Sequence, residues 1–277
     1  MTEPVRVAQV VGKMVGGGVE AVVMNYYRHI DRSKVQFDFL VDSDSTLVPR
    51  DEIESLGGRV FEIPPYQHIA EYQRELQRLF KQEGWKIVHS HINALSVFPL
   101  RAAKKAGVSV RIAHSHSTSG KGEYAKNALK AVLKTQSNRY PTHRFACSQF
   151  AGEWLFGKAA HFEVVYNAID LDRFRFNAEA RAQARADLGL VGVEAQVSGL
   201  PCLLSDAITR EVDVTGECKF LSIDSPVVWA DEICSLSKKS DEGRDSTSPG
   251  SFVHYDIGQQ ADWLLRRYLQ LINGDRN

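Results

Sequence analysis

Short apolar runs alternate with helical segments through the first 170 residues, and this alternation constrains the fold more than any other feature. The apolar runs are too short for buried helices and are bounded by turn residues, as in strands buried on both faces. Strand and helix in strict alternation imply βαβ units. We therefore predict an α/β fold with a Rossmann-like, doubly wound parallel sheet. Its seven strands are expected at residues 5–11, 35–41, 59–63, 86–91, 109–116, 145–148 and 162–166.

The bulk composition excludes several classes of protein. The 277 residues carry 34 Lys and Arg against 34 Asp and Glu, so no net field favours nucleic acid. Four cysteines lie far apart without a C-x-x-C pair, which argues against a zinc site and a disulfide framework and fits a reducing compartment. The sequence has neither an apolar signal core nor a run of 18 apolar residues. We predict a cytoplasmic protein whose membrane contact, if any, is peripheral.

A glycine-rich loop follows the first strand. Gly16, Gly17 and Gly18 allow close backbone approach, and the next helix, which begins near Glu20, points its N-terminal amides at the same place. Such a loop suits a phosphate or sugar hydroxyls, and the alternative is a tight turn without a ligand. The glycine spacing fits neither the dinucleotide fingerprint nor the P-loop, which disfavours a nicotinamide-dependent enzyme.

Polar residues collect where the predicted strands end. In doubly wound sheets ligands bind at the carboxyl ends of the strands. The residues expected at this edge, besides the glycines, are His89, His91, His114, His116, Ser148 and Asn167.

The sequence contains two His-Ser-His triplets, at residues 89–91 and 114–116. Within a strand the two histidines of each triplet point to the same face. Four imidazoles at two strand ends could bind a metal, act as a base or hydrogen-bond a polar substrate. The absence of a nearby Asp or Glu in sequence disfavours a metal. Contact with a polar substrate is favoured, with histidines satisfied by backbone carbonyls as the alternative.

Five motifs in order give the chain a resemblance to a known family. Residues 5–175 resemble the N-terminal half of a family 4 retaining glycosyltransferase of the GT-B fold, of the bacterial exopolysaccharide or capsule type. The motifs are Gly16-Gly17-Gly18-Val19-Glu20, Val88-His89-Ser90-His91, Arg111-Ile112-Ala113-His114-Ser115-His116, Ala146-Cys147-Ser148 with Trp154-Leu155-Phe156-Gly157, and Val165-Tyr166-Asn167-Ala168-Ile169-Asp170.

The resemblance implies transfer of a sugar, with retention, from a nucleotide-sugar such as a UDP-sugar to a polysaccharide or lipid-linked acceptor. It implies that no metal is required, which agrees with the lack of a D-x-D triplet. His116 would contact the donor sugar as the catalytic residue, with His114 as the alternative. The donor- and acceptor-binding residues would be Gly16, Gly17, Gly18, Glu20, His91, Asn167 and Glu194.

The second half departs from the family pattern. Glu194 matches the second glutamate of the family's ribose-binding pair, but the first position holds Ala186. The family's diphosphate-binding lysine stretch is also missing, and only two strands are evident after Leu190. We therefore predict an N-terminal domain at 1–175 and a truncated donor-side segment at 176–277 that includes a C-terminal helix. An internal deletion would leave activity weak or absent, and the alternative function is a non-catalytic remnant or acceptor-binding protein.

A basic stripe lies on the helix predicted from about Glu123 to Arg139. Lys126, Lys130 and Lys134 recur at every fourth residue and so share one face. Lysines near an anionic leaflet favour binding by about 1 kcal/mol each. The stripe predicts peripheral contact at the inner face of the cell membrane, with a solvated charged face as the alternative.

Overall fold

The computed structural model describes residues 3–116, 132–171, 192–237 and 249–274. They form two compact units. The first unit comprises Met1–Asn167 with Gly258–Asn277, and the second comprises Ala168–Ile257.

The first unit is built on a seven-stranded sheet in the order β3-β2-β1-β4-β5-β6-β7, and every neighbouring pair is parallel. The predicted α/β fold with a doubly wound parallel sheet is confirmed. The strands are β1 Val5–Gly12, β2 Val35–Asp42, β3 Arg59–Ile63, β4 Ile87–Ser90, β5 Val110–Ser115, β6 His143–Ala146 and β7 Glu163–Val164.

Helices connect these strands. They are α1 Gly18–His29, α2 Arg50–Ser55, α3 Ile69–Glu83, α4 Val97–Ala106 after a 3-10 turn at Asn93–Ser96, α5 Gln149–Phe156, and the C-terminal α8 Ile257–Asn273, most of which belongs to this unit. Of the predicted basic helix, residues 132–134 are helical, residues 135–139 form turns, and the part that holds Lys126 and Lys130 lies outside the described residues.

The centre of the sheet is buried on both faces, as its apolar strands require. All eight residues of β2 are buried. Phe37 packs against the ring of Tyr27 at a centroid distance of 5.2 Å. Asp38, one of the two aspartates in this strand, is fully buried and bound by Arg6, Arg59 and Trp85 at 2.5 to 2.7 Å. The strand can therefore hold a carboxylate in the core because three donors compensate its burial.

Helix α8 packs in the first unit, whereas the sequence placed it in the donor-side segment. Its apolar face is buried there: Tyr268 lies 6.0 Å from Phe37, and Trp263 lies 5.9 Å from Phe145, between ring centroids. Arg267 also binds Glu163 at 2.6 Å. The division differs from the predicted one because these partners come from strands far away in sequence.

The second unit has a much smaller framework. Its described part contains one pair of parallel three-residue strands, β8 Leu203–Ser205 and β9 Lys219–Leu221. The helices are α6 Gly192–Val197 and α7 Pro226–Ser237, with 3-10 turns at Arg210–Val212 and Pro249–Tyr255. The two strands that the sequence predicted in this region are both present.

Candidate functional site

The backbone of the glycine-rich loop is held by the side chain of Glu20, at the start of α1. The carboxylate of Glu20 accepts the backbone N–H groups of Val15 at 2.8 Å and of Gly16 and Gly17 at 2.6 Å. Glu20 is buried, at 8% exposure. The sequence left these amides free for a ligand, but an anion would have to displace the carboxylate because both need the same donors. Gly18 opens α1, and added side-chain atoms there would meet open space.

The two His-Ser-His triplets meet across β4 and β5. Nε2 of His89 lies 3.1 Å from Nδ1 of His114, and Nδ1 of His91 lies 2.8 Å from Nε2 of His116. The rings of His114 and His116 stack with centroids 3.9 Å apart. The strand alternation predicted this shared face, and the neighbouring parallel strands bring the two pairs together.

Gln9 and Tyr268 join the two imidazole pairs. Oε1 of Gln9 lies 2.8 Å from Nε2 of His91, and Nε2 of Gln9 donates to the Tyr268 hydroxyl at 3.1 Å. That hydroxyl lies 2.6 Å from Nδ1 of His89. The predicted alternative of histidines satisfied by backbone carbonyls therefore does not describe these rings, since the hydrogen bonds found for them join side chains.

Burial sets the charge of these rings. His89, His91 and His114 are each at most 5% exposed, and burial lowers the pKa of all three well below the usual value, with neighbouring imidazoles acting in the same direction. Burial lowers the pKa of His116 to about 4, while the adjacent Asn167 side chain acts against it. All four imidazoles are therefore neutral at pH 7.

The strand-end position of His116 is fixed from its backbone. Its N–H donates to Oδ1 of Asn93 at 2.7 Å. Asn93 itself has a φ of 50°, a conformation that Asn adopts more readily than most residues. His116, Asn167 and His91, three of the predicted site residues, thus lie together at the carboxyl edge of the first unit.

Three of the imidazoles have the spacing of a metal site. One ring nitrogen each of His89, His91 and His114 lies within 4.8 Å of the others, and three imidazoles suit Zn²⁺. However, His89 and His114 already share a direct hydrogen bond, and His91 is held by Gln9 and His116. An ion would have to break these bonds, so the arrangement favours a hydrogen-bonded network.

A cleft of about 340 Å³ opens beside the glycine loop, within the first unit. Its lining combines aromatic rings, charged groups and strand-end residues. The polar and aromatic members are Lys13, Glu20, Asp42, Tyr66, Tyr72, His91, Asn93 and Trp154. Its volume is sufficient for one or two sugar rings, and polar side chains among apolar walls are typical of ligand sites.

Asp42 is the unusual member of this cleft. It ends β2, is 6% exposed, and has its pKa raised to about 6 by burial, with Asp44 acting in the same direction and Lys13 against it. The Tyr72 hydroxyl is buried and has no hydrogen-bond partner among the described residues. The wall of the cleft thus holds a carboxyl group and, buried behind its surface, a hydroxyl without a partner among the described residues.

Glu194 belongs to the second unit and lies in α6, half-buried. The residue that organises this region is Gln196, which donates to the carbonyl of Val212 at 2.8 Å and accepts from the N–H groups of Val214 and Thr215. Sequence reasoning placed weight on Glu194 and missed Gln196.

Of the three lysines in the basic stripe, Lys134 lies within the described residues. Its ammonium lies 4.8 Å from the centroid of the Trp154 ring, a cation–π distance. Within the described residues, no helix is both long and apolar enough to cross a bilayer.

Sequence reasoning also missed Gln9, Asp42 and Tyr268. Gln9 gave a usable signal, since a lone amide within an apolar strand needs a partner once buried. Tyr268 gave none, because an aromatic residue at helical spacing is indistinguishable from an ordinary core residue.

Comparison with known proteins is consistent with this fold. Residues 16–173 match the family described as Glycosyltransferase Family 4. The chain is 37% identical over 377 aligned residues to a Bacillus subtilis (strain 168) protein called "Putative glycosyltransferase EpsF", with 98% of each chain covered. Since this chain has 277 residues, at least 100 of those positions lie opposite a gap in it.

Solved structures share the fold at low identity. The Anabaena protein Alr3699/HepE in complex with UDP superposes with a TM-score of 0.72 at 12% identity, covering 96% of this chain and all of that one. The lipopolysaccharide outer core galactosyltransferase WaaB gives a TM-score of 0.62 at 14% identity, with 98% of this chain and 100% of that chain covered.

Proposed function

Because the chain belongs to glycosyltransferase family 4, we propose that it transfers a sugar, with retention, from a nucleotide-sugar to a hydroxyl acceptor. The observation that carries the proposal is the convergence of His91, His116 and Asn167 at the carboxyl edge of the sheet, beside the cleft that His91 lines. We extend the proposal to exopolysaccharide assembly, the role implied by the motif resemblance of residues 5–175.

A nucleotide-sugar donor is supported by the structural relatives. HepE has been solved with UDP and, separately, with UDP-glucose. His116 is the proposed catalytic residue, with its neutral imidazole offered to a donor-sugar hydroxyl, and His114 supports it from the ring stacked below. No metal step is proposed, because the imidazoles already bond one another.

The cleft of the first unit is the proposed acceptor site. Tyr66 and Trp154 offer flat apolar faces to sugar rings, and the Asp42 carboxyl offers hydrogen-bond acceptors to their hydroxyls. The acceptor is a polysaccharide or lipid-linked saccharide. For a lipid-linked one, Lys126, Lys130 and Lys134 would contact anionic headgroups; sedimentation with anionic vesicles tests this, and unchanged binding after Lys→Gln at all three would refute it.

A second function, a non-catalytic acceptor-binding protein, is favoured by one observation. The alignment with the Bacillus relative leaves at least 100 positions empty in this chain, and the described second unit has a single pair of short strands. Loss of the diphosphate-binding stretch would remove the groups that stabilise the leaving diphosphate. Glu194 would then be a vestige of the ribose site.

Thermal melts with millimolar UDP, GDP and their sugars separate the two functions. A ligand at 100 times its Kd stabilises by about 2.7 kcal/mol, which is several degrees in Tm. We expect a shift with one nucleotide that His116→Asn weakens, whereas the exposed His161→Asn control leaves it unchanged. A cooperative melt without any shift, together with binding of an acceptor glycan, would instead establish the acceptor-binding protein.

A further inference from the structure

Six side chains between the sheet and helix α8 form one continuous series of hydrogen bonds, here called the polar chain. Five contacts of 2.6 to 3.1 Å link its members. In order, they are His116, His91, Gln9, Tyr268, His89 and His114. The series therefore runs from the strand-end histidine of the proposed donor site to the C-terminal helix and back into the sheet.

The amide of Gln9 gives the first half of the polar chain a direction. Oε1 of Gln9 can only accept, so Nε2 of His91 must carry the proton that bonds it. A neutral imidazole has a single N–H, so Nδ1 of His91 is a lone pair. The bond between His91 and His116 then requires the proton on Nε2 of His116.

The second half follows from the other end of the same amide. Nε2 of Gln9 donates to the Tyr268 hydroxyl, which leaves the hydroxyl proton for Nδ1 of His89. His89 then donates from Nε2 to Nδ1 of His114. Every member donates to the next, and the series ends at Nε2 of His114, which is buried without a partner among the described residues.

We propose that the polar chain fixes the tautomer of His116, with the proton on Nε2 and Nδ1 presented as a hydrogen-bond acceptor, and that Tyr268 is a positioning residue for it. Nδ1 of His116 is buried and has no hydrogen-bond partner among the described residues, while the Asn167 side chain lies close enough to raise the pKa of this ring. Its use toward a donor-sugar hydroxyl rests on the proposed function, whereas the tautomer itself does not.

The hydrogen bonds of the polar chain can run in two directions, which differ in which member of each pair donates. Rotating the Gln9 amide by half a turn would reverse every donor and acceptor in the series. His116 would then carry its proton on Nδ1 and could only donate from that atom. One amide orientation thus decides whether the strand-end histidine accepts or donates.

The tautomers can be read directly by NMR. Long-range ¹H–¹⁵N correlation on the full chain labelled with ¹⁵N-histidine distinguishes a protonated Nε2 from a protonated Nδ1. We expect the Nε2–H pattern for His89, His91, His114 and His116 at neutral pH. An Nδ1–H pattern for His91 and His116 would mean the reverse direction and would overturn the proposal.

Substitution of Tyr268 tests its positioning role. In Tyr268→Phe we expect His91 and His116 to show mixed tautomers. UDP-glucose affinity relative to UDP should fall by about twofold for an even mixture and by up to about tenfold, the factor that corresponds to one hydrogen bond, if the other tautomer predominates. Tyr27→Phe is the matched control: it loses a buried hydroxyl that bonds Oε1 of Gln36 outside the polar chain, and the tautomers should stay as they are.

The outcomes separate the two proposals. If Tyr268→Phe fails to fold, Gln9→Met breaks the series at its centre and gives the same test. Unchanged tautomers in both variants would overturn the role of Tyr268. Altered tautomers in the variants uphold the polar chain, whatever the nucleotide affinities are. If the ratio of UDP-glucose to UDP affinity then stays unchanged, or if the wild type binds no nucleotide, the proposed function of His116 is refuted.

Discussion

The two units of this protein differ in how completely they bury their apolar residues. In the first unit, β2 is buried at every position and the core contains Tyr27, Phe37 and Phe39, each at most 1% exposed. In the second unit, β8 and β9 have three residues each, none of which is buried. A strand needs neighbours on both sides and a cover on each face before its apolar side chains leave water.

Helix α7 shows the same contrast. Its Val227 is 72% exposed and its Ile233 is 55% exposed. Apolar exposure of this extent on one helix is unusual for a surface in water. The first unit therefore buries a complete apolar core, whereas the described part of the second unit leaves its strands and α7 partly exposed.

Acidification should produce the largest difference in stability between the two units, because the buried histidines lie in the first unit. The folded-state pKa values of His89, His91 and His114 are lowered, so the unfolded chain binds protons first and stability falls as pH drops below about 6.5. One pH unit below that value, each ring that stays neutral lowers the free energy of unfolding by on the order of 1 kcal/mol, so the three together should cost a few kcal/mol. Urea unfolding at about pH 7.5 and about pH 5.5 measures it. An equal loss in hydrogen-exchange protection of β8 and β9 would contradict a cause confined to the first unit.

Truncation of matched aromatic residues tests core completeness. Phe37→Ala should destabilise the protein by about 3–5 kcal/mol, because the residue is 1% exposed among other rings. Phe220→Ala in β9 should cost about 1 kcal/mol or less, since Phe220 is half-buried beside Arg210. Urea unfolding followed by circular dichroism measures both, and comparable losses would show that the second unit is as well packed as the first.

Removal of one ion pair from each unit compares the contribution of a buried pair to stability with that of an exposed pair. Asp38→Asn should cost about 1.5–3 kcal/mol, because it weakens charged hydrogen bonds at a buried position while Arg6 and Arg59 stay partly exposed to water. Glu232→Gln removes the exposed pair with Lys219 in the second unit, which is worth about 0–1 kcal/mol. The same unfolding assay at neutral pH applies, and a loss below about 1 kcal/mol for Asp38→Asn would refute a compensated buried charge.

Substitution of the two predicted site glutamates, Glu20 and Glu194, should give the smallest difference in the free energy of unfolding. Glu20→Gln weakens three backbone hydrogen bonds of the glycine loop and should cost about 1–2 kcal/mol, whereas Glu194→Gln should stay within about 0.5 kcal/mol. Hydrogen exchange at the amides of Gly16 and Gly17 checks the local part of the effect. Unchanged protection in Glu20→Gln would mean that the carboxylate does not hold the loop.

Much of the fold and part of the site could be predicted from the sequence. The apolar strands of the first unit stand out because burial on both faces leaves continuous hydrophobic runs. The strand-end histidines could be placed at one edge because parallel strands share their carboxyl ends. Asp42 could not be distinguished as a site residue, because its burial depends on α3 and the cleft wall, which come from distant segments.

By itself the sequence determined the order of strands and helices, the sheet edge at which polar residues gather, and the shortness of the second unit, since these follow from local hydrophobic periodicity and chain length. The tertiary structure decided which atoms pair. It closed the glycine loop with Glu20, brought Tyr268 to His89 across 179 positions of chain, and placed helix α8 with the first unit. Hydrogen bonds form over about 3 Å, and only packing of distant segments can set distances on that scale.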